Sequence, residues 1–85
     1  MYETSKRLGF VGIIIENREL CSQQVNSILS QHADIILART GIPNIKGNTS
    51  IITLVVDCDT DHLGKLTGLL GNIDGVSVKS GLSKK

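Results

Sequence analysis

The residues best suited to chemistry lie together near the middle of the chain. Asp57, Asp59 and Asp61 alternate in the way that the first ligands of a calcium loop do. Such a loop then needs a glycine and a glutamate, at positions that His62 and Gly68 occupy here. The segment is better explained as a strand end followed by the capped, acidic first turn of a helix.

A cysteine and a histidine in the same segment have a spacing that metal sites use. Cys58 and His62 are separated by three residues, and His32 is the only other histidine. A tightly bound zinc ion needs more protein ligands than these. We therefore predict no resident metal and no cofactor, with a zinc or nickel site shared between the subunits of an oligomer as the alternative.

Other motifs give no sign of catalysis. The segment 41–49 superficially resembles a phosphate-binding loop, but its lysine and glycine are in the wrong order and a strand is predicted to follow it. No Ser/His/Asp or Cys/His grouping in the sequence has a plausible catalytic geometry, and no pair of carboxylates lies in an apolar frame. We therefore predict that the chain is not an enzyme.

The composition limits the class of partner. The chain has 85 residues, enough for one domain, with a net charge of +1 and 2% aromatic residues. A balanced charge and only Tyr2 and Phe10 as aromatics argue against direct nucleic-acid binding. The scattered thiols of Cys21 and Cys58 suit a reducing cytoplasm. The apolar run Leu8 to Ile15 is too short to span a membrane.

The periodicity of apolar residues predicts the order β-α-β-β-α-β. Asn17 and Thr60 are predicted to cap the two helices, and Gly64 and Gly68 in the second helix favour close packing against the sheet or a neighbouring subunit over a hinge. This order favours an α+β, ferredoxin-like sandwich with an antiparallel sheet of order 4-1-3-2 and both helices on one face. We predict one domain over residues 7–83 with flexible ends at 1–6 and 84–85. The predicted strands are Leu8–Ile15, Ile35–Thr40, Thr49–Cys58 and 76–82, with a loop over 41–48.

One face of the predicted sheet has no helix to cover it, yet its residues are apolar. The first strand is apolar on both of its faces, and Ile51 and Val55 of the third strand extend the uncovered side. A contiguous apolar patch on a small domain is typical of a partner surface. We therefore predict a homo-oligomer, a dimer or a tetramer.

Four segments resemble the proposed regulators of the iron-only hydrogenase system, and the resemblance covers nearly the whole chain, from about Arg7 to Lys84. That family is small and ferredoxin-like, and it is similar to ACT domains, to the acetolactate synthase regulatory subunit and to the C-terminal domain of nickel-responsive repressors. The resemblance implies a cytoplasmic, ACT-like regulatory module that oligomerises and senses a small effector at a subunit interface. The segments are Arg39-Thr-Gly41-Ile-Pro43, Ser50-Ile-Ile-x-Leu54-x-Val56-Asp57, Thr60-Asp61-x-x-Gly64-x-Leu66-Thr67-Gly68-x-Leu70-Gly71 and Gly75-Val-x-Val-Lys79-Ser80.

A further resemblance suggests where an effector would bind. The segment 14–17 resembles the first strand end of the acetolactate synthase regulatory subunit, where an asparagine helps to hold an amino acid. Asn17 matches that asparagine, Asp34 takes the place of a second polar contact, and Arg39 offers a forked donor for an anion. The alternative is that Asn17 is only a cap, Asp34 a turn residue and Arg39 an edge charge. The alternative function is a non-sensing assembly or adaptor module that docks through its apolar sheet face.

Overall fold

A computed structural model describes residues 6–84 of the chain. Of the flexible ends predicted at 1–6 and 84–85, all but Lys6 and Lys84 lie outside the described residues. The secondary structure follows the predicted order, with a short 3-10 helix added after the first α-helix. The elements are β1 (Arg7–Ile15), α1 (Arg18–Gln31), the 3-10 helix (Ala33–Ile35), β2 (Ile36–Lys46), β3 (Thr49–Cys58), α2 (Thr60–Gly71) and β4 (Val76–Leu82).

The four strands form one sheet in the order β2-β3-β1-β4. This is the predicted 4-1-3-2 order written from the other edge, and every neighbouring pair is antiparallel. The ferredoxin-like βαββαβ prediction is therefore confirmed. β1 and β3 occupy the centre, and β2 and β4 form the edges.

The core lies between the sheet and the two helices. Alternate residues of β1 and β3 point into it, because successive side chains of a strand face opposite sides of the sheet. Residues of α1 spaced at one and two helical turns meet them from the other side. The buried apolar residues are Val11, Ile13, Ile15, Cys21, Val25, Leu29, Ile35, Ile52, Leu54, Val56, Cys58, Leu66 and Leu70.

Both helices begin at a side-chain cap. The Asn17 side chain accepts a hydrogen bond from the Leu20 backbone N–H, as predicted. The second cap differs from the prediction, because Asp59 and not Thr60 holds that position and accepts from the His62 backbone N–H at 2.8 Å. Among residues 6–84, no helix combines the length and apolarity that crossing a membrane requires.

β2 is much longer than the predicted strand. It begins at Ile36 and runs through most of the segment predicted as a loop, ending at Lys46. Proline is tolerated here because β2 is an edge strand, where Pro43 need not donate to a neighbour. The turn signals instead mark a register irregularity between Ile42 and Lys46, where Asn44 has a positive φ of 55°. β2 and β3 therefore form a long hairpin that closes at Gly47 and Asn48.

The glycines of α2 do not serve close packing within the chain. A Cβ atom added at Gly64 or Gly68 would meet no atom within 4 Å, so packing against the sheet is not their role. Gly9 is different, because an added Cβ would overlap the Gly81 carbonyl oxygen. The close approach of two backbones therefore lies between β1 and β4 and not under α2.

Candidate functional site

A cavity of about 170 Å³ lies between α1 and the β2–β3 hairpin. It lies at the end of the sheet where β1 ends and α1 begins. Core residues of β1 and β3 form its floor. Polar residues of α1 form one wall, and the edge strand β2 forms the other. The lining residues are Ile15, Arg18, Ser22, Asn26, Arg39, Gly41, Ile42, Pro43, Ser50, Ile51 and Ile52.

The first turn of α1 fixes one wall of the cavity. The Asn17 cap sets the start of the helix, and the Arg18 backbone N–H donates to the Asn48 carbonyl oxygen at 2.8 Å. The helix start is thereby fastened to the turn of the hairpin. Arg18, Ser22 and Asn26 follow at intervals of four residues, a spacing that aligns side chains along one stripe of a helix.

Arg39 contributes the second cationic group from β2. It pairs with Leu54 of β3, which is fully buried beneath the helices. Directly opposite residues of an antiparallel pair share a face, so Arg39 also points to the helix side. One guanidinium nitrogen, Nη2, donates to Asn26 Oδ1 at 2.5 Å. This bond joins the edge strand to the middle of α1 and fixes the position of the guanidinium.

The lining combines cationic and neutral hydrogen-bonding groups. Arg18 and Arg39 carry the charge, and no acidic residue lines the cavity within the described part of the chain. Ser22 and Ser50 supply hydroxyl groups, but the same lining brings no histidine or carboxylate to either of them. A serine nucleophile needs such a base, so no group of the described lining activates either hydroxyl.

The structure brings together only part of the predicted site. Arg39 lines the cavity, whereas the Asn17 side chain is occupied by its helix cap. Asp34 lies in the 3-10 helix beyond the other end of α1. Ile15 pairs with Ser50 and Ile36 pairs with Val56, so the end of β1 and the start of β2 are about 20 Å apart along β3. Asp34 is therefore remote from Asn17, and it is not among the residues that line the cavity.

Arg18, Ser22 and Asn26 were not predicted as site residues. Their common stripe on α1 was visible in the sequence, but polar residues on an exposed helix face are also what a solvated surface requires. The sequence did not predict the long β2–β3 hairpin, which lies beside this stripe and makes it a cavity wall.

A second candidate is the outer face of the sheet, which neither α1 nor α2 covers. We call the five residues Leu8, Phe10, Ile14, Ile51 and Val55 the apolar outer face. Phe10 pairs with Val55 and Ile14 pairs with Ile51, so their side chains are neighbours across the two central strands. Phe10 is 53% exposed and Val55 43% exposed. The face thus presents exposed apolar pairs on both central strands, with the Gly12–Thr53 pair between them.

The two histidines are brought close to one another, but among the described residues they form no closed set of metal ligands with Cys58. The rings of His32 and His62 meet edge to face with centroids 6.4 Å apart. Cys58 is buried at the end of β3, and its burial, with Asp59 and Asp57 nearby, raises the pKa of the thiol. Within residues 6–84, no group of three or more histidine, cysteine or acidic side chains is placed to hold a metal ion.

Comparison with solved structures identifies several proteins that share this fold. The uncharacterized protein TM1266 from Thermotoga maritima is 42% identical, with a TM-score of 0.87 over 93% of this chain and 99% of that one. The ACT domain of a GTP pyrophosphokinase from Chlorobium tepidum gives 22% identity and a TM-score of 0.65 over 95% and 90% of the two chains. The latter likeness shows the ACT-like fold alone.

A more distant neighbour is the nitrogen regulatory PII-like protein CPII from Thiomonas intermedia K12, solved with ADP, AMP and bicarbonate. It is 16% identical, with a TM-score of 0.53 over 92% of this chain and 91% of that one, and it too shows the fold alone. A search of curated proteins gave no significant match.

Comparison with protein families is more specific. Residues 7–80 match the TM1266-like family, described as "Iron-only hydrogenase system regulator, putative". The match covers both central strands, both helices and the hairpin that forms the cavity wall. Together with the 42% identity to TM1266, it shows that the chain belongs to the TM1266-like family.

Proposed function

We propose that the chain is a non-enzymatic, cytoplasmic regulatory module of the iron-only hydrogenase system. In this proposal it assembles into a homo-oligomer through the apolar outer face and senses a small effector at a subunit interface. Family membership supports the regulatory role. The observation that carries the assembly is the apolar outer face itself, because it lies on the two central strands and no element of the described chain covers it.

The free energy gained by covering the apolar outer face is of the same order as the cost of association. Complete burial of an aliphatic or aromatic side chain stabilises by about 1.5–3 kcal/mol, so a half-exposed side chain gains about 1 kcal/mol when a partner covers it. Five such side chains on each of two subunits give about 10 kcal/mol in a symmetric pair. That gain falls within the range of about 4–15 kcal/mol that association costs in translational and rotational freedom. Exposed Ile42, which pairs with Ile51, extends the same face onto β2.

The proposed effector site is the cavity beside α1, and of the residues predicted from the sequence it retains Arg39. Asn17 contributes to the proposed site indirectly, by capping the helix that carries Arg18. Asp34 would reach an effector only if assembly brought the opposite end of another subunit to the cavity. The edge strand β2, exposed over nearly its whole length, is where a second subunit would enclose the cavity.

The assembly is tested by light scattering on the full chain and two charge-matched variants. Val55→Lys places a charge within the apolar outer face, and Gln31→Lys adds the same charge at an exposed position near the end of α1. We expect Val55→Lys to reduce the mass towards that of one chain, because an unpaired charge would be buried in the interface. Gln31→Lys should leave the mass unchanged. Equal masses for all three proteins would contradict assembly through this face.

A second candidate function is an adaptor that docks the apolar outer face on another protein without sensing an effector. The same exposed face favours it. A thermal-shift screen with amino acids, nucleotides and simple anions separates the two functions, since a ligand selective for the folded state raises the melting temperature. Stabilisation of the oligomer by one ligand class supports sensing, whereas a monomer that no ligand stabilises supports the adaptor.

A further inference from the structure

The cavity beside α1 has the composition of an anion site. Two guanidinium groups, two hydroxyl groups and one amide line it, and no carboxylate opposes them among the described lining residues. Arginine is always charged at physiological pH and presents five N–H donors in a fixed fork. The charge of both guanidinium groups is therefore not opposed by any acidic residue of the described cavity lining.

The hydrogen bond from Arg39 to Asn26 fixes the position of the Arg39 guanidinium. It uses one N–H of the guanidinium and leaves the remaining donors for a second acceptor. A planar group held in this way is suited to binding two oxygen atoms of one ligand, which is how arginine recognises carboxylate and phosphate groups. Arg18 stands on the neighbouring wall, since its backbone is tied to the hairpin turn.

The volume of the cavity limits the size of the ligand. A cavity of about 150 Å³ accommodates benzene, so the 170 Å³ here suits a compound of similar size. Larger metabolites fit only if the charged group enters the cavity and the remainder stays outside. The apolar floor at Ile15 and Ile52 then contacts the carbon atoms next to the charged group of the ligand.

We propose that this cavity binds a small oxyanion, the carboxylate or phosphate group of a metabolite, through Arg18 and Arg39. The inference rests on the proposed function, in that it names the chemical class of the effector. It assigns Asn26 as a positioning residue that holds the guanidinium of Arg39. Ser22 and Ser50 complete the donor set from α1 and β3.

The test uses backbone NMR titrations of the full chain with inorganic phosphate and with malonate, at constant ionic strength. The two probes distinguish a phosphate from a carboxylate source. We expect saturable shifts at Arg18, Ser22 and Asn26. Arg39→Gln should weaken the affinity about tenfold or more, since it removes charge-assisted hydrogen bonds. Asn26→Asp should weaken it also, because a carboxylate beside Arg39 would occupy and neutralise the guanidinium.

The matched control is Arg7→Gln, which removes the same charge at the far end of β1. Arg7 is separated from Ile15 by about 27 Å of strand, and its Nη1 donates to the Ser83 carbonyl oxygen. Arg7→Gln should change the affinity less than twofold. An equal loss in Arg7→Gln and Arg39→Gln would show non-specific attraction and overturn the proposal. So would the absence of saturable shifts with both probes, or shifts that map away from the cavity.

Circular dichroism spectra and melting curves of each variant establish that it is folded. The oligomeric state and the oxyanion titrations test the proposed assembly and the anion site separately. An oligomer that a cationic or neutral compound stabilises, and that neither oxyanion shifts, refutes the inference alone. A monomer whose cavity binds either oxyanion refutes the proposed assembly and leaves the inference in place.

Discussion

Replacement of the two interior glycines of α2 by alanine should stabilise the chain. Glycine in a helix interior is less favourable than alanine by about 0.8–1.0 kcal/mol at each position. Gly64 and Gly68 have no positive φ, and an added methyl group would meet no atom within 4 Å. Neither strain nor a clash therefore offsets the gain. Gly64→Ala combined with Gly68→Ala should raise the free energy of unfolding by about 2 kcal/mol.

The assay is equilibrium unfolding in urea followed by circular dichroism, at one fixed protein concentration because assembly contributes to apparent stability. Each substitution should also raise the melting temperature by about 4–8 °C for a domain of this size. The mass measured by light scattering should be unchanged. Loss of stability or of mass in Gly68→Ala would refute the reasoning, since it would show that this face of α2 is packed against another subunit.

Three further predictions follow from the local geometry. Gly9→Ala should lower stability by about 1–3 kcal/mol in the same unfolding assay, because the methyl group would overlap the Gly81 carbonyl oxygen. Asp59→Ala should cost about 1 kcal/mol and Thr60→Ala less, since Asp59 is the cap; equal losses would contradict that assignment. The raised pKa of Cys58 means that the unfolded chain ionises this thiol first, so stability should fall as the pH rises above about 8.5. Unfolding measured across this pH range should therefore show a smaller loss of stability in Cys58→Ala than in the parent chain. An equal loss in both proteins would contradict ionisation of Cys58 as the cause.

The order of elements and the core were predictable because periodicity reports burial directly. Ile52, Leu54 and Val56 alternate along β3, and Cys21, Val25 and Leu29 recur at helical spacing. The extent of β2 was not predictable in the same way. Gly41, Pro43 and Asn44 are turn signals in isolation, and only the position of β2 at the sheet edge makes them compatible with a strand.

The candidate site was predictable only in part, for a topological reason. β1 and β2 both pair antiparallel with β3, so they run in the same direction. The end of β1 and the start of β2 therefore lie at opposite ends of the sheet, which separates Asp34 from Asn17. Arg39 reaches the cavity because it lies further along β2, where the strand passes α1.

The most direct test of the account follows the side chain of Phe10, the only phenylalanine in the sequence. Incorporation of fluorophenylalanine therefore places a single ¹⁹F label in the apolar outer face, where Phe10 is 53% exposed in the isolated chain. If the chain assembles through this face, the label is shielded from solvent at micromolar concentration, and dilution or Val55→Lys converts its signal to a second, solvent-exposed one. A single solvent-exposed signal at every concentration would contradict assembly through this face.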